Sequence, residues 1–125
     1  MVEEENSKPG RKGMDRIFWA TYYSWRGFLS AVKYEAAFRQ ELIMVVIMLP
    51  FAFWLGDGAV EHCLLIGSGL LVLIVELLNS AIEAVVDRIG TERHRLSGQA
   101  KDMGSAAVFL SLVLMAVCWI EIVFF

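Results

Sequence analysis

The chain has 125 residues, and 58% of them are hydrophobic, which exceeds the roughly 45–50% usual in soluble domains. The hydrophobic residues occur in long blocks, so the composition indicates an integral membrane protein of one domain and argues against a soluble protein. The net charge of −3 says little about partners, and we expect no nucleic acid among them. A chain this short can hardly enclose a deep site alone, so we expect a homo-oligomer.

The positions of the basic residues predict the topology. Of the eleven lysines and arginines, seven precede Leu42 and four lie between Arg88 and Lys101, whereas residues 50–62 and the segment after Lys101 hold none. Basic residues concentrate on the cytoplasmic side of membrane proteins. We therefore expect a cytoplasmic N-terminus, a cytoplasmic loop at residues 90–102, an outer loop and a periplasmic C-terminus, which together require three spans.

Residues 1–14 contain almost nothing apolar and predict a disordered cytoplasmic tail, while residues 15–125 form a single membrane domain. Residues 15–32 carry apolar side chains at helical spacing, with cationic residues between them and with aromatic residues such as Trp19. This pattern is typical of an amphipathic helix that lies in the membrane interface. Gly27 interrupts the segment, so a surface helix fits it better than a span.

Three further helices are expected to cross the membrane. The first covers residues 34–55, and its apolar core is shorter than the roughly 20 residues that a span needs, so its polar start lies at the inner boundary. The second span covers residues 62–89 and is followed by the polar loop at residues 90–102. The third span, residues 103–125, opens with small residues that let helices approach closely. The predicted fold is therefore all-α, with a surface helix and three transmembrane helices.

The second span is organised around a polar stripe. Successive residues of an α-helix are rotated by about 100°, so five polar residues of this span share a face about 100° wide. They are Glu76, Asn79, Ser80, Glu83 and Asp87. Burying a charge in hydrocarbon costs roughly 3 kcal/mol or more, so intramembrane acids usually face a bundle interior and mark a functional site. Hydrogen bonds between packed helices near the membrane surface are the alternative explanation.

The expected topology brings this stripe close to Glu35, His94, Lys101 and Asp102 at the cytoplasmic interface. Two or three carboxylates form a hard oxygen site suited to Mg²⁺, and basic residues beside them can neutralise phosphate charge. A carboxylate in apolar surroundings can also act as a general base. The set therefore suits phosphoryl transfer to a lipid hydroxyl, and it equally suits a proton or cation path. The sequence has no Walker-type phosphate loop.

Three segments of the chain closely resemble the bacterial integral-membrane diacylglycerol kinase family, at residues 35–41, 75–88 and 97–107. The most specific is the Glu-Leu-Leu-Asn-Ser-Ala-Ile-Glu-Ala-Val-Val-Asp run inside the second span. The resemblance implies a homotrimer in the bacterial inner membrane, with one surface helix and three spanning helices per subunit and with active sites at subunit boundaries. It also implies that Mg²⁺ and ATP are used to phosphorylate diacylglycerol to phosphatidic acid.

By matching position, the resemblance implies residue roles as well. Glu76 is the general base toward the lipid hydroxyl, Asn79 lies at the reacting centre, and Asp87 supports it. Glu35 and Glu83 are the Mg²⁺ ligands. The implied nucleotide contacts are Arg16, Tyr23, Glu35, Glu83, Glu92, Arg93, His94, Lys101 (on the phosphates) and Asp102. The implied lipid-side residues are Arg39, Gln40, Glu76, Ser105 and Trp119.

Three alternatives stay open at this point. Gram-positive relatives with a similar motif phosphorylate undecaprenol, although the segment at residues 39–41 looks more like the diacylglycerol enzymes. A small proton- or cation-conducting oligomer would need polar residues through the outer half of the bilayer, where residues 63–75 offer only Ser68. A structural membrane assembly protein would leave the polar stripe unexplained.

Overall fold

The computed structural model describes residues 12–125, and every regular element in that range is an α-helix. The helices are α1 (Gly13–Tyr34), α2 (Ala36–Leu55), α3 (Gly58–Ile89) and α4 (Arg95–Phe124). This confirms the predicted order of one amphipathic helix followed by three long apolar helices. Most of the predicted tail, residues 1–11, lies outside the described residues.

Helices α2, α3 and α4 are long and apolar enough to cross a membrane, with 20, 32 and 30 residues. A helix rises 1.5 Å per residue, so α2 matches a hydrocarbon core of about 30 Å, whereas α3 and α4 extend beyond it by about 15 Å. The extra length of both helices includes polar residues near their connection, residues 90–94. We call the end of the bundle that holds this connection the loop end.

A sharp corner at Glu35 separates α1 from α2. Glu35 has an extended backbone, with φ −112° and ψ 106°, and it interrupts what would otherwise be continuous helix. One guanidinium nitrogen of Arg39, Nη1, donates hydrogen bonds to the carbonyl oxygens of Val32 at 2.9 Å and Lys33 at 3.1 Å. A cation suits a helix C-terminus because the last carbonyls are unpaired and carry partial negative charge. Arg39 therefore fixes the end of α1 against the start of α2.

The core lies where α2 packs against α3, and α3 also packs along α4. Phe38 is completely buried and forms a cluster with Ala31, Val45 and Leu73, so α1, α2 and α3 all contribute to it. Toward the opposite end from the loop end, the Trp119 indole N–H donates a hydrogen bond to the carbonyl oxygen of Leu65 at 3.3 Å. This contact joins α4 to α3 and satisfies the indole donor, as a partly buried tryptophan requires.

Two connections are shorter than predicted because helix capping begins the next helix earlier. The loop expected at residues 90–102 ends at His94, where the ring nitrogen Nδ1 accepts a hydrogen bond from the backbone N–H of Leu96 at 3.1 Å. This cap satisfies one of the free amides at the start of α4. Helix α3 starts at Gly58 rather than near residue 62, and the Glu61 carboxylate accepts a hydrogen bond from the N-cap amide of Asp57 at 2.6 Å.

Candidate active site

Four acidic residues lie near one another where α2 and α3 approach each other near the loop end. Glu76 is only 5% exposed, and the carboxyl group of Glu41 on α2 lies beside that of Glu76, so the two can share one proton. Glu83, two turns further along α3, and Glu35, at the α1–α2 corner, lie close enough for their charges to act on Glu76. The structure therefore brings together three of the acids that the sequence analysis selected, and it adds Glu41.

This acidic cluster, defined by Glu35, Glu41, Glu76 and Glu83, has an excess of negative charge. Oε2 of Glu41 is buried and has no hydrogen-bond partner. Glu76 is buried and the other three acids are partly exposed, and neighbouring carboxylates with limited access to water are stabilised by protons or by a cation. The cluster is therefore chemically suited to a hard cation.

The donor set fits Mg²⁺ shared with a nucleotide rather than a metal held by protein alone. Within residues 12–125, no group of three or more His, Cys, Asp or Glu side chains is already arranged around a common metal position. Mg²⁺ commonly uses only one or two carboxylates and takes its other ligands from water and substrate phosphates. Glu35 and Glu83 supply carboxylates on opposite sides of Glu76 along the chain.

A cavity of about 480 Å³ lies at the loop end between α3 and α4. Its lining includes Asp87, Glu92, Arg93, His94 and Lys101, all of them predicted to be site residues. The Lys101 ammonium lies 2.8 Å from Oδ1 of Asp87, and the two side chains are 44% and 56% exposed. Because both remain accessible to water, the ion pair orients Lys101 without preventing it from reaching a bound anion.

A second cavity, of about 470 Å³, lies between the surface helix and α3. Its lining combines Glu35 and the hydroxyl groups of Ser24, Ser30 and Ser80 with small apolar residues. The volume is within the range of small-molecule sites, roughly 300–1,000 Å³. Glu35 thus lies at the edge of a cavity and is also close to Glu76, so one corner residue joins the surface helix to the acidic cluster.

Asn79 lies one turn from Glu76 on α3 and is 8% exposed. Its amide oxygen Oδ1 is buried without a hydrogen-bond partner and points toward Gly104 of α4. Glu76 and Asn79 are neighbours on one helix face, so this buried amide belongs to the same polar face as the acidic cluster.

Several predicted site residues line neither of the two cavities. Arg16 is exposed on α1, and the Tyr23 ring lies tilted against the rings of Trp19 and Tyr22 on that helix. Gln40 and Ser105 are exposed on α2 and α4. Asp102 is exposed next to Lys101 but does not line the loop-end cavity.

Trp119 and Arg39 are engaged in contacts within the subunit. Trp119 bonds Leu65, which is eleven residues before Glu76 on α3 and therefore about 16 Å away along the helix axis. Arg39 bonds carbonyl groups at the end of α1. The predicted lipid-side roles of both residues remain predictions.

Glu41 and Gly104 are not among the site residues selected from the sequence, although both lie in segments that the sequence marked. Glu41 belongs to the polar start of the first span, and Gly104 is one of the small residues that open the third. Nothing in the local sequence pairs Gly104 with Asn79, because that contact depends on how α3 and α4 align.

The chain is similar to one protein family over most of its length. The family model for prokaryotic diacylglycerol kinase matches residues 22–123. Diacylglycerol kinase of Haemophilus influenzae is 51% identical over 113 residues, which cover 90% of this chain and 96% of that protein. Diacylglycerol kinase of Escherichia coli (strain K12) is 54% identical over 107 residues, covering 86% of this chain and 88% of that protein. The Pseudomonas aeruginosa diacylglycerol kinase is 54% identical over 113 residues, covering 90% and 92%.

Proposed function

Because this chain belongs to the prokaryotic diacylglycerol kinase family, we propose that it transfers the γ-phosphoryl group of ATP to the free hydroxyl of 1,2-diacylglycerol. The products are phosphatidic acid and ADP. The observation that carries the proposal is the buried Glu76 on a long apolar helix, with the carboxyl group of Glu41 beside it and with Glu35 and Glu83 near enough for their charges to act on it. A lipid can present its hydroxyl at this depth while its acyl chains stay in the bilayer.

Glu76 acts as the general base of the transfer. Its carboxylate takes the proton of the lipid hydroxyl as that oxygen attacks the γ-phosphorus in line. The new bond joins the lipid oxygen to phosphorus, and the bond between the γ-phosphorus and the bridging oxygen of ADP breaks. With the neighbouring Glu41 carboxyl group carrying a proton, the Glu76 carboxylate can accept a hydrogen bond from it and stay available as the base. Such a transfer depends on positioning and charge neutralisation, so it needs no covalent phosphoenzyme.

Glu35 and Glu83 would hold Mg²⁺, which when bound neutralises charge on the nucleotide phosphates. Lys101 approaches the phosphates from the loop-end cavity, held in place by Asp87. The remaining proposed nucleotide contacts are Arg16, Tyr23, Glu92, Arg93, His94 and Asp102. Asn79 lies at the reacting centre, and Arg39, Gln40, Ser105 and Trp119 are on the lipid side.

The working unit is proposed to be a homotrimer in the bacterial inner membrane, with its N-terminus in the cytoplasm and its C-terminus in the periplasm. The distribution of basic residues supports this orientation. Exposed large apolar side chains along α3, such as Leu78, Ile82 and Val85, offer a face that lipid or another subunit can cover. If active sites lie between subunits, the proposed site residues that are exposed on one subunit would complete the site of its neighbour.

An ion-conducting role has no support from the outer half of α3. Ser68 is the only polar side chain between residues 63 and 75 apart from a cysteine, and its hydroxyl donates a hydrogen bond to the Leu65 carbonyl oxygen at 3.1 Å. The relatives are diacylglycerol kinases, so their names favour diacylglycerol over undecaprenol as the acceptor. The assay below distinguishes the two lipids.

The test is transfer of labelled γ-phosphate from Mg-ATP to diacylglycerol and, separately, to undecaprenol in mixed micelles. Glu76→Gln should lower the rate by at least about 100-fold, the scale of a lost general base. The matched control is Glu121→Gln, because Glu121 is exposed near the far end of α4. Removing Mg²⁺ with EDTA should abolish transfer, and added Mg²⁺ should restore it. Label only in undecaprenol would show that undecaprenol is the substrate in place of diacylglycerol. If a folded oligomer labels neither lipid, the kinase function is refuted.

A further inference from the structure

Gly104 and Asn79 make an unusually close contact between α4 and α3. A Cβ atom built on Gly104 would overlap with the Asn79 side chain, and its nearest neighbour would be Oδ1. Other atoms of the same side chain would lie at 3.2 Å and 3.9 Å. Asn79 therefore occupies the space that a side chain at position 104 would need.

The contact lies inside the bundle. Gly104 is buried, and Asn79 is 8% exposed. The amide oxygen has no conventional hydrogen-bond partner, and it lies where a side chain on Gly104 would be. The amide is therefore held in place mainly by the shape of its surroundings.

A second contact shows that the alignment of α3 with α4 is well defined. Trp119 lies fifteen residues after Gly104 on α4, and its partner Leu65 lies fourteen residues before Asn79 on α3. The two contacts thus share one antiparallel register. Moving α4 away from Asn79 would therefore also strain the Trp119–Leu65 hydrogen bond, which holds the same register.

We propose that Gly104 is a positioning residue of this enzyme, because its missing side chain leaves the space that the Asn79 amide group occupies, about one turn along α3 from Glu76. A larger residue at position 104 displaces Asn79, and it does so at the helix face that carries the general base. The inference rests on the proposed kinase function for its effect on catalysis. The steric coupling between the two residues holds independently of the activity.

Gly104→Ala is the perturbation, and Gly67→Ala is its matched control. A Cβ on Gly67, which is exposed on α3, would meet nothing within 4 Å. We expect Gly104→Ala to lower the unfolding midpoint in micelles by about 5 °C through overpacking. It should lower kcat by about 100-fold, the cost of a displacement of about 1 Å at a reacting centre, and leave KM for ATP nearly unchanged. Gly67→Ala should change neither quantity.

Combining Gly104→Ala with Asn79→Ala separates positioning from a general packing defect. Asn79→Ala removes the group that the new methyl would strike, so the double variant should be more stable than Gly104→Ala alone. Its kcat should match that of Asn79→Ala within about two-fold, because the added methyl then has no amide group to displace. Should Gly104→Ala fail to fold, recovery of a folded protein in the double variant supports the proposal.

Three results would overturn the proposal. The first is normal kcat in Gly104→Ala. The second is an equal loss of stability when Gly104→Ala is introduced into the unmodified protein and into Asn79→Ala. The third is a double variant that does not fold although Asn79→Ala does. Lack of transfer by the unmodified protein would instead refute the kinase function, while the stability comparison would still test the contact.

Discussion

Replacing Lys101 by methionine tests whether the loop-end cavity binds the nucleotide phosphates. Methionine keeps much of the length of the side chain and removes its charge. The ammonium of Lys101 lies 2.8 Å from Asp87, and both side chains are about half exposed, at 44% and 56%. An ion pair so accessible to water contributes little to folding, and the freed Asp87 carboxylate remains hydrated.

The structure therefore predicts different effects on stability and activity. The unfolding midpoint of Lys101→Met should fall by less than about 2 °C, because the lost ion pair is solvent-screened. Its kcat/KM for ATP should fall by about 10- to 100-fold, the scale of one lost charge-assisted hydrogen bond to a phosphate. The KM for diacylglycerol should stay close to that of the unmodified protein, since Lys101 lines the cavity at the loop end.

The assay is the initial rate of phosphoryl transfer in mixed micelles, with ATP and diacylglycerol varied in turn. The matched control is Lys33→Met. The Lys33 ammonium is at the end of α1, 5.1 Å from the centre of the Tyr34 ring. This control removes the same charge from a residue that lines neither large cavity. Unchanged ATP kinetics in Lys101→Met, or an equal loss in Lys33→Met, would refute the assignment of the cavity to the nucleotide.

Three further predictions concern the packing of the helices and their connections. Phe38→Ala should lower the free energy of unfolding by about 3–5 kcal/mol, measured by chemical denaturation, because the ring is completely buried. Arg39→Ala should accelerate amide hydrogen exchange in the last turn of α1, whose carbonyls lose their cap, while exchange in α4 stays unchanged. Gly56→Ala should lower the unfolding midpoint, since a Cβ would lie 2.7 Å from the His62 ring and 2.9 Å from the Ala52 carbonyl oxygen. Gly69→Ala, 3.4 Å from Val45, should be tolerated better.

The positions of the helices were largely predictable from the sequence. Long apolar blocks and helical periodicity depend only on nearby residues, so the surface helix and the three candidate spans were expected in the correct order. Helix ends were less predictable because they depend on caps. The hydrogen bonds made by His94 and Glu61 extend α4 and α3 toward the preceding residues, beyond the starts that hydrophobicity suggested.

The polar face of α3 was also predictable, because the angular positions of Glu76, Asn79 and Glu83 follow from helix geometry alone. The buried state of Glu76 and Asn79 agrees with that expectation. The roles of the individual site residues came from resemblance to a family, and they await the experiments above.

The sequence by itself determined that this is a membrane protein with a polar face on its second span, because hydrophobicity and helical rotation are local properties. Only the tertiary structure decided which groups meet that face. The pairing of Glu41 with Glu76, and of Gly104 with Asn79, depends on the rotation and alignment of helices that are distant in the chain. Both quantities are set by side-chain packing across the whole bundle, which no single segment encodes.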